Sequence, residues 1–412
     1  MTSAQRYSAA VAEYWYLASI AVAGPAEQQE AEAQVSPPRA MVIRAAPWTT
    51  MDAPDARLAW DALSACAAEP NPFHESWYLL AALRALDPNG AVKLLRFEAD
   101  GELAGLLPLH SPSRYYRWPI PQMASWVHPN CFLGAPLVAR GLEREFWRAL
   151  LDWADNHAAR GLFLHLAQLP LTGPVYEALQ VVLREQGRFA ALVHREQRAM
   201  LASDLGPQSY FEASLSAKKR KELRRQYARL TELGAVEFVR TDGEAGLARW
   251  IEAFLALEHS GWKGINGSAL ASHQTTARMF KEALFGAAAA GRLERLTLTL
   301  GGEPIAMLAN FITAPGAFSY KTAFDERYSR YSPGVLVQRE NLALLGTAGI
   351  AWCDSCAAAD HPMINHIWRE RRPIGRLSIA IGGGVRRWLF ARLVAAELRR
   401  NPAGLGLIAS PD

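Results

Sequence analysis

The segment from Ala317 to Leu336 gathers the residue types most able to do chemistry. A strand pattern, Ala317-Phe-Ser-Tyr-Lys-Thr-Ala-Phe, runs into Asp325 and Tyr328, then into the turn Arg330-Tyr-Ser-Pro-Gly334 and the apolar helix start Val335-Leu336. A strand that ends in such a turn and a helix start offers unpaired backbone N–H groups at the positive end of a helix dipole, which suits a pyrophosphate. Arg330, Tyr331, Ser332, Gly334, Val335 and Leu336 are therefore the expected phosphate-binding set. Pro333 removes one donor and fixes the turn, leaving a single glycine. Strand alternation puts Ser319, Lys321 and Ala323 on one side and Phe318, Tyr320 and Thr322 on the other, and the same period carries Asp325 to the Lys321 side. An ammonium there can hold developing negative charge, and a carboxylate can take up a proton.

A second carboxylate stands upstream in Glu258-His-Ser-Gly-Trp-Lys-Gly264, where Trp262 and Lys263 sit between glycines in an expected loop. Rigid aromatic and cationic groups in such loops commonly contact ligands. Asp354 ends the apolar stretch Ile350-Ala-Trp-Cys353 and either faces a substrate or caps the next turn. Each of these residues also has a plain structural reading: an exposed helix carboxylate for Glu258, a strand-end ion pair for Lys321 and Asp325, a packed anchor for Trp262 and Lys263. His361 and His366 lack the spacing of a zinc helix, so no metal is expected. Cys353 and Cys356 form a lone CxxC beside a buried strand pattern, and with Cys66 and Cys131 they are too sparse for a disulfide framework, which favours a reducing, cytoplasmic setting.

The elements that must position these residues fall into two halves. The chain has 412 residues, half of them hydrophobic and a fifth charged, which fits a folded protein of two domains. Leu95-Arg-Phe-Glu-Ala-Asp-Gly-Glu-Leu-Ala-Gly-Leu-Leu107 parallels Leu296-Thr-Leu-Thr-Leu-Gly-Gly-Glu-Pro-Ile-Ala-Met-Leu308: strand, tight turn, Glu, strand. Helix patterns precede both, so a duplicated α/β (α+β) unit is expected. The expected division is an N-terminal helix (Tyr14 to Gly24) and flexible lead-in over 1–40, domains over 41–205 and 206–384, and a basic amphipathic helix with its tail over 385–412.

In the second half the order is hairpin, strand, Tyr/Gly loop, helix, strand. Together with Glu258 to Gly264, Gly267-Ser-Ala-Leu270, Tyr320-Lys-Thr-Ala-Phe-Asp325, Tyr328 to Gly334, His361-Pro-Met363 and Trp368-Arg-Glu-Arg371, it resembles the GNAT-superfamily acetyltransferases of the CelD type, associated with cellulose and capsule synthesis and distantly related to Fem-type peptidyltransferases. The likeness is densest over 250–373 and weaker over most of 60–380. It departs from the commonest GNAT phosphate loop in having only Gly334 after Arg330. It implies tandem GNAT-like domains, each a mixed twisted sheet flanked by helices. It further implies an N-acyltransferase that moves an acyl group from acyl-CoA or an acyl carrier protein thioester to an amine, with no tightly bound cofactor. On that basis Glu258 or Asp325 is the expected base, Lys321 the charge-holding group and Tyr328 or Tyr331 the proton donor to sulfur, with Trp262, Lys263, Tyr328 and Asp354 on the acceptor side.

Two basic segments bear on partners. Lys218-Lys-Arg-Lys-Glu-Leu-Arg-Arg225 reads as a helix whose Leu223, Tyr227 and Leu230 face the core and whose cations face solvent, an acidic carrier or nucleic acid. A net charge of +4 does not by itself imply nucleic acid, so an aminoacyl-tRNA-dependent Fem-like transferase or a non-enzymatic RNA-binding module is the alternative reading. Across Val385 to Arg400, Trp388, Leu389, Leu393 and Ala396 recur at helical spacing among arginines, a pattern that packs on the domain or lies on an anionic inner-membrane surface. The second placement favours an amine-bearing lipid such as a sphingoid base as acceptor; the first leaves an amino sugar of a surface polysaccharide equally open.

Overall fold

The computed structural model describes residues 40–400 and 407–409, so the helix expected over Tyr14 to Gly24 and the lead-in up to residue 39 lie outside the described residues. Met41–Pro47 forms β1, Pro54–Cys66 α1, Ser76–Leu86 α2, and Lys93–Ala99 with Glu102–His110 the hairpin β2–β3. Then come β4 (Met123–Ser125), β5 (Leu137–Val138), α3 (Glu143–His157), β6 (Phe163–Pro170), α4 (Pro174–Glu185) and β7 (Ala190–Leu201). α5 (Pro207–Ser214) and α6 (Ala217–Thr231) lead to β8 (Val236–Asp242), α7 (Leu247–Ser260), the single turn α8 (Trp262–Ile265) and α9 (Gln274–Ala289). The second hairpin is β9 (Leu293–Leu300) with β10 (Glu303–Thr313). It is followed by β11 (Gly316–Phe324), α10 (Pro333–Asn341), β12 (Trp352–Asp354), α11 (Ile364–Ile367), β13 (Glu370–Ala380), α12 (Gly384–Arg400) and β14 (Leu407–Ala409).

The two hairpins hold equivalent places in one mixed sheet. Asp100-Gly101 and Gly301-Gly302 all take positive φ, the geometry that closes a two-residue hairpin loop. β1, β2, β3 and β4 run antiparallel to one another in that order, and β4 pairs in parallel with β6. β8, β9, β10 and β11 repeat the arrangement, and β11 pairs in parallel with β12. The fold is thus mixed α/β with an internal repeat, as the hairpin echo leads one to expect. The halves meet by exchanging their last strands: the order runs β6, β13, β7, β12, so β13 lies between two strands of the first half. A cut at 205/206 therefore leaves β13 inside the first half's part of the sheet.

Burial follows the apolar patterns. On α6, Leu223 and Leu230 are buried and the lysines and arginines project outward, as the helical spacing requires. On α12 the buried pair is Phe390 and Val394, one turn apart, packed with Phe163, Ala191, Val193 and Ala380. Trp388 and Leu389 stay exposed, so the stripe expected from spacing is largely the outer one. Arginines border both faces of this helix, which is why spacing alone does not identify the buried one. Among the described residues no helix is long and apolar enough to cross a membrane.

Candidate functional site

β11 and β12 pair only from Gly316↔Trp352 to Phe318↔Asp354. β12 ends there, while β11 continues to Phe324, so the two parallel strands part and leave backbone uncovered between them. Along its other edge β11 aligns Lys321 with Ala309 and Ser319 with Asn310, which leaves Tyr320 as an extra residue. This bulge breaks the expected alternation. Gln338 Nε2 donates to both Ser319 Oγ (3.4 Å) and Thr322 Oγ1 (3.2 Å), placing those two on the α10 side. Lys321 instead joins Tyr320, its Nζ lying 5.6 Å from that ring's centroid and 5.2 Å from that of Phe132.

Lys321 Nζ donates to Asn130 Oδ1 at 2.7 Å. Burial pushes its pKa down to about 8; the nearby Lys263 cation adds to the shift, and Glu258 opposes it. Glu258, at the end of α7, is buried; it accepts from Lys263 Nζ (2.8 Å) and from the Leu270 N–H (2.8 Å). Lys321, Glu258 and Lys263 thus form one electrostatic group. Trp262 is 54% exposed beside it, its N–H donating to Glu326 Oε1 at 2.7 Å.

Asp325 does not join this group. It caps the 3-10 turn Glu326–Tyr331, accepting from the Arg327 N–H and pairing with the Arg327 guanidinium at 2.6 Å, which holds its carboxyl below the usual value. The strand ends at Phe324, so the period of two does not carry on to Asp325, and the local cap turns its carboxylate to Arg327. Asp354 is also a correction as an acceptor-facing residue: it is fully buried, with Arg372 at 3.2 Å and Arg198 at 3.6 Å, and it accepts from the Cys356 N–H. Of its two expected roles, the turn cap is the one observed. Tyr328 is half-buried against the α6 residues Tyr227 and Leu230.

The expected phosphate turn is present with fewer free donors than its outline suggests. Ser332 sits in the left-handed region (φ 55°) and α10 starts at Pro333. The Ser332 N–H is taken by Ser329 O, and those of Val335 and Leu336 by Ser332 O, so Gly334 has the turn's one N–H without an acceptor among the described residues. Arg330 lies 4.7 Å over the Tyr331 ring, and Tyr331 itself is buried. A Cβ at Gly334 would lie 3.1 Å from Met363 Sδ and 3.2 Å from Phe324 Cδ1. Gly334→Leu is therefore expected to lower stability by about 1–3 kcal/mol through overpacking, before any effect on a ligand. Urea denaturation checks this; an unchanged midpoint contradicts the packing around Gly334.

The corresponding place in the first half is different. The first turn of α3 carries Glu143 and Glu145, which repel an anion, whereas the first turn of α10 carries no acid. Its own chain also fills the space: the Gly134 N–H donates to Gln168 O at 2.8 Å, so closely that a Cβ at Gly134 would lie 2.1 Å from Ala167 O. This loop brings Asn130, Phe132 and His128 to the second half's site, and sequence reasoning missed all three. The polar His128-Pro-Asn130 between apolar stretches is the only local signal. His128 and the fully buried His74 are both held neutral by burial, each with a pKa of about 3.

Comparison with known families places a match on this region. Residues 217–361 match the acetyltransferase (GNAT) domain family. The GNAT match runs from α6 past β12 and takes in Glu258, Lys263, Lys321 and the Arg330–Leu336 turn. None of the curated proteins matches the chain. Among solved structures, a conserved protein of unknown function from Bacteroides thetaiotaomicron is similar in fold, at 11% identity and TM-score 0.52 over 79% of this chain and 97% of that one. FemX is similar to the same degree, 11% identical with TM-score 0.52 over 82% of this chain and 98% of its own. Both likenesses concern the fold alone.

Proposed function

We propose that this chain is an N-acyltransferase of the CelD-like GNAT type that transfers an acyl group from an acyl-CoA-type thioester to an amine, using its second half. The observation that carries the proposal is the parting of β11 from β12 with Lys321 at the opening and the start of α10 beside it. On this reading the units over 41–205 and 206–384 are two GNAT-like domains, of which the first has lost donor binding to its own loop and to the acids of α3. The amine nitrogen attacks the thioester carbonyl, the C–N bond forms, the oxyanion collapses, and the C–S bond breaks to release the thiol. The Lys321 ammonium holds the oxyanion. Glu258 keeps Lys263 in place and is the remaining carboxylate for the amine proton, Asp325 being committed to Arg327. Tyr328 is the phenol near enough to solvent to protonate the leaving sulfur. Trp262 and Lys263 line the acceptor side.

With few backbone donors at Gly334, side-chain cations must meet the donor's phosphates. Arg330 and α6 supply them: α6 packs on the 3-10 turn and holds seven cations against the single acid Glu222. A carrier-protein thioester fits the same surface. An amine-bearing lipid acceptor is favoured over an amino sugar by Val385, Trp388 and Leu389, exposed among arginines on α12, which suit peripheral contact with an anionic inner-membrane surface. The Fem-like fold and the basic α6 also support a second reading, transfer from aminoacyl-tRNA. Mass spectrometry of products from a panel of acyl thioesters and amines tests the proposal: an amide with stoichiometric thiol release is expected. Product formed only with charged tRNA, or tRNA binding that weakens steeply with salt and supports transfer, overturns it in favour of the second reading.

A further inference from the structure

Asn130 belongs to the loop that follows β4 in the first half, 191 residues from the lysine it contacts, and it is 8% exposed. It is fixed from several sides. The Tyr78 hydroxyl donates to its carbonyl oxygen at 2.5 Å, and its own N–H donates to His128 Nδ1 at 3.4 Å. The Tyr78 hydroxyl also lies 3.2 Å from that of Tyr320, the residue beside Lys321 in the bulge. Tyr320, Tyr78, Asn130 and Lys321 thus close a ring that ties β11 to the first half.

An amide oxygen accepts from an ammonium without neutralising it, so it sets the direction of Nζ and leaves its charge available. We infer that Asn130 is a positioning residue of the transfer site, its amide oxygen aiming the Lys321 ammonium into the opening between β11 and β12, so that the first half completes the site carried by the second. The inference rests on the acyl-transfer reading above. The groups around Lys321 are His128 on the same loop, Glu258 on α7, Lys263 on α8, Cys356 beyond β12, and the phenols of Tyr78 and Tyr320. Among these, Glu258 is already committed to Lys263 and the Leu270 N–H, and Asn130 is the acceptor within hydrogen-bond distance of Nζ.

The test uses the full chain with Asn130→Asp, Asn130→Ala and Tyr78→Phe. The labelling of Lys321 by an acetyl N-hydroxysuccinimide ester is followed against pH by peptide mass spectrometry, beside steady-state kinetics. A carboxylate in contact with the ammonium should raise the labelling midpoint by about one pH unit or more. Asn130→Ala, which leaves the ammonium without its acceptor, should lower the midpoint. Both variants should lose about tenfold or more in kcat with the donor KM unchanged, the scale of a misplaced charge-holding group. A purely structural role leaves kcat unchanged in the folded variants, whatever the midpoints do. An unmoved midpoint in folded Asn130→Asp, or a moved midpoint with unchanged kcat, overturns the inference. Should Asn130→Asp fail to fold, Tyr78→Phe decides, since it keeps the ring and removes only the hydroxyl: lowered kcat at unchanged donor KM is expected, and unchanged kcat overturns the inference. If no thioester and amine pair yields product with the unaltered chain, the acyl-transfer reading fails, while the labelling midpoints still report whether Asn130 governs Lys321.

Discussion

Lys321→Ala is expected to lower kcat by about 10²–10³ while the melting temperature stays close to that of the unaltered protein. The rate figure is the usual loss when one well-placed donor to a developing oxyanion is removed, and it far exceeds the roughly 0–1 kcal/mol carried by a surface ion pair. Stability should hold because the folded protein gains little from this charge. Burial and Lys263 lower the Lys321 pKa from 10.5 to about 8, so the folded state binds that proton less tightly than the unfolded chain. The contribution of this group to stability therefore rises as pH goes from about 8 towards 10.5, and is least favourable below 8, where both states carry the charge. Activity should run the opposite way: if the ammonium is the working form, kcat falls as pH rises through about 8. Lys321→Arg, cationic at every accessible pH, should move that fall out of range even if its kcat is low. Steady-state kinetics across pH 6.5–9.5 beside thermal melts checks all three. A Lys321→Ala protein with near-normal kcat removes Lys321 from the chemistry and leaves backbone donors to hold the oxyanion.

What could be seen of this arrangement in the amino-acid sequence was its local part. The Asp100-Gly101 and Gly301-Gly302 turns, the apolar stripe Leu223-Tyr227-Leu230 and the strand-turn-helix around Ser332 are each set by residues close in sequence, and each is found. The register of β11 is different. Whether Tyr320 pairs or bulges depends on how Ala309 and Asn310 align across the sheet, and a bulge moves Lys321 to the opposite face without changing one local propensity. Asp325 was lost to Arg327 for the converse reason: a two-residue cap closes locally and leaves the carboxylate no reach toward Lys321. Asn130 and the exchange of β7 and β13 depend on contacts across the halves, which no window of one sequence contains.

The largest effect on stability is expected at Asp354. Its carboxylate has no exposed surface and faces two arginines that are themselves nearly buried, Arg198 from β7 and Arg372 from β13, at the seam where the halves exchange strands. Arg372 also stacks 4.6 Å over Trp352, and Arg198 donates to Phe132 O at 2.5 Å, so neither cation can swing out to water without disturbing the sheet or the loop that reaches Lys321. Removing the one carboxylate they share takes from Arg372 its carboxylate at 3.2 Å and leaves Arg198 with Glu196 alone at 3.3 Å, and breaking a buried pair from one side typically costs about 3–5 kcal/mol. Asp354→Ala should therefore cost about that much in chemical denaturation, and Asp354→Asn, which keeps the shape and the acceptor for Cys356 N–H but not the charge, somewhat less. Joint replacement of Asp354, Arg198 and Arg372 by apolar residues of similar volume should recover much of the loss, because desolvation of the ions is removed along with their attraction. A residue that merely met the acceptor amine would behave otherwise: Asp354→Asn would fold with normal stability and lose activity alone, and that result would return Asp354 to the acceptor side of the site.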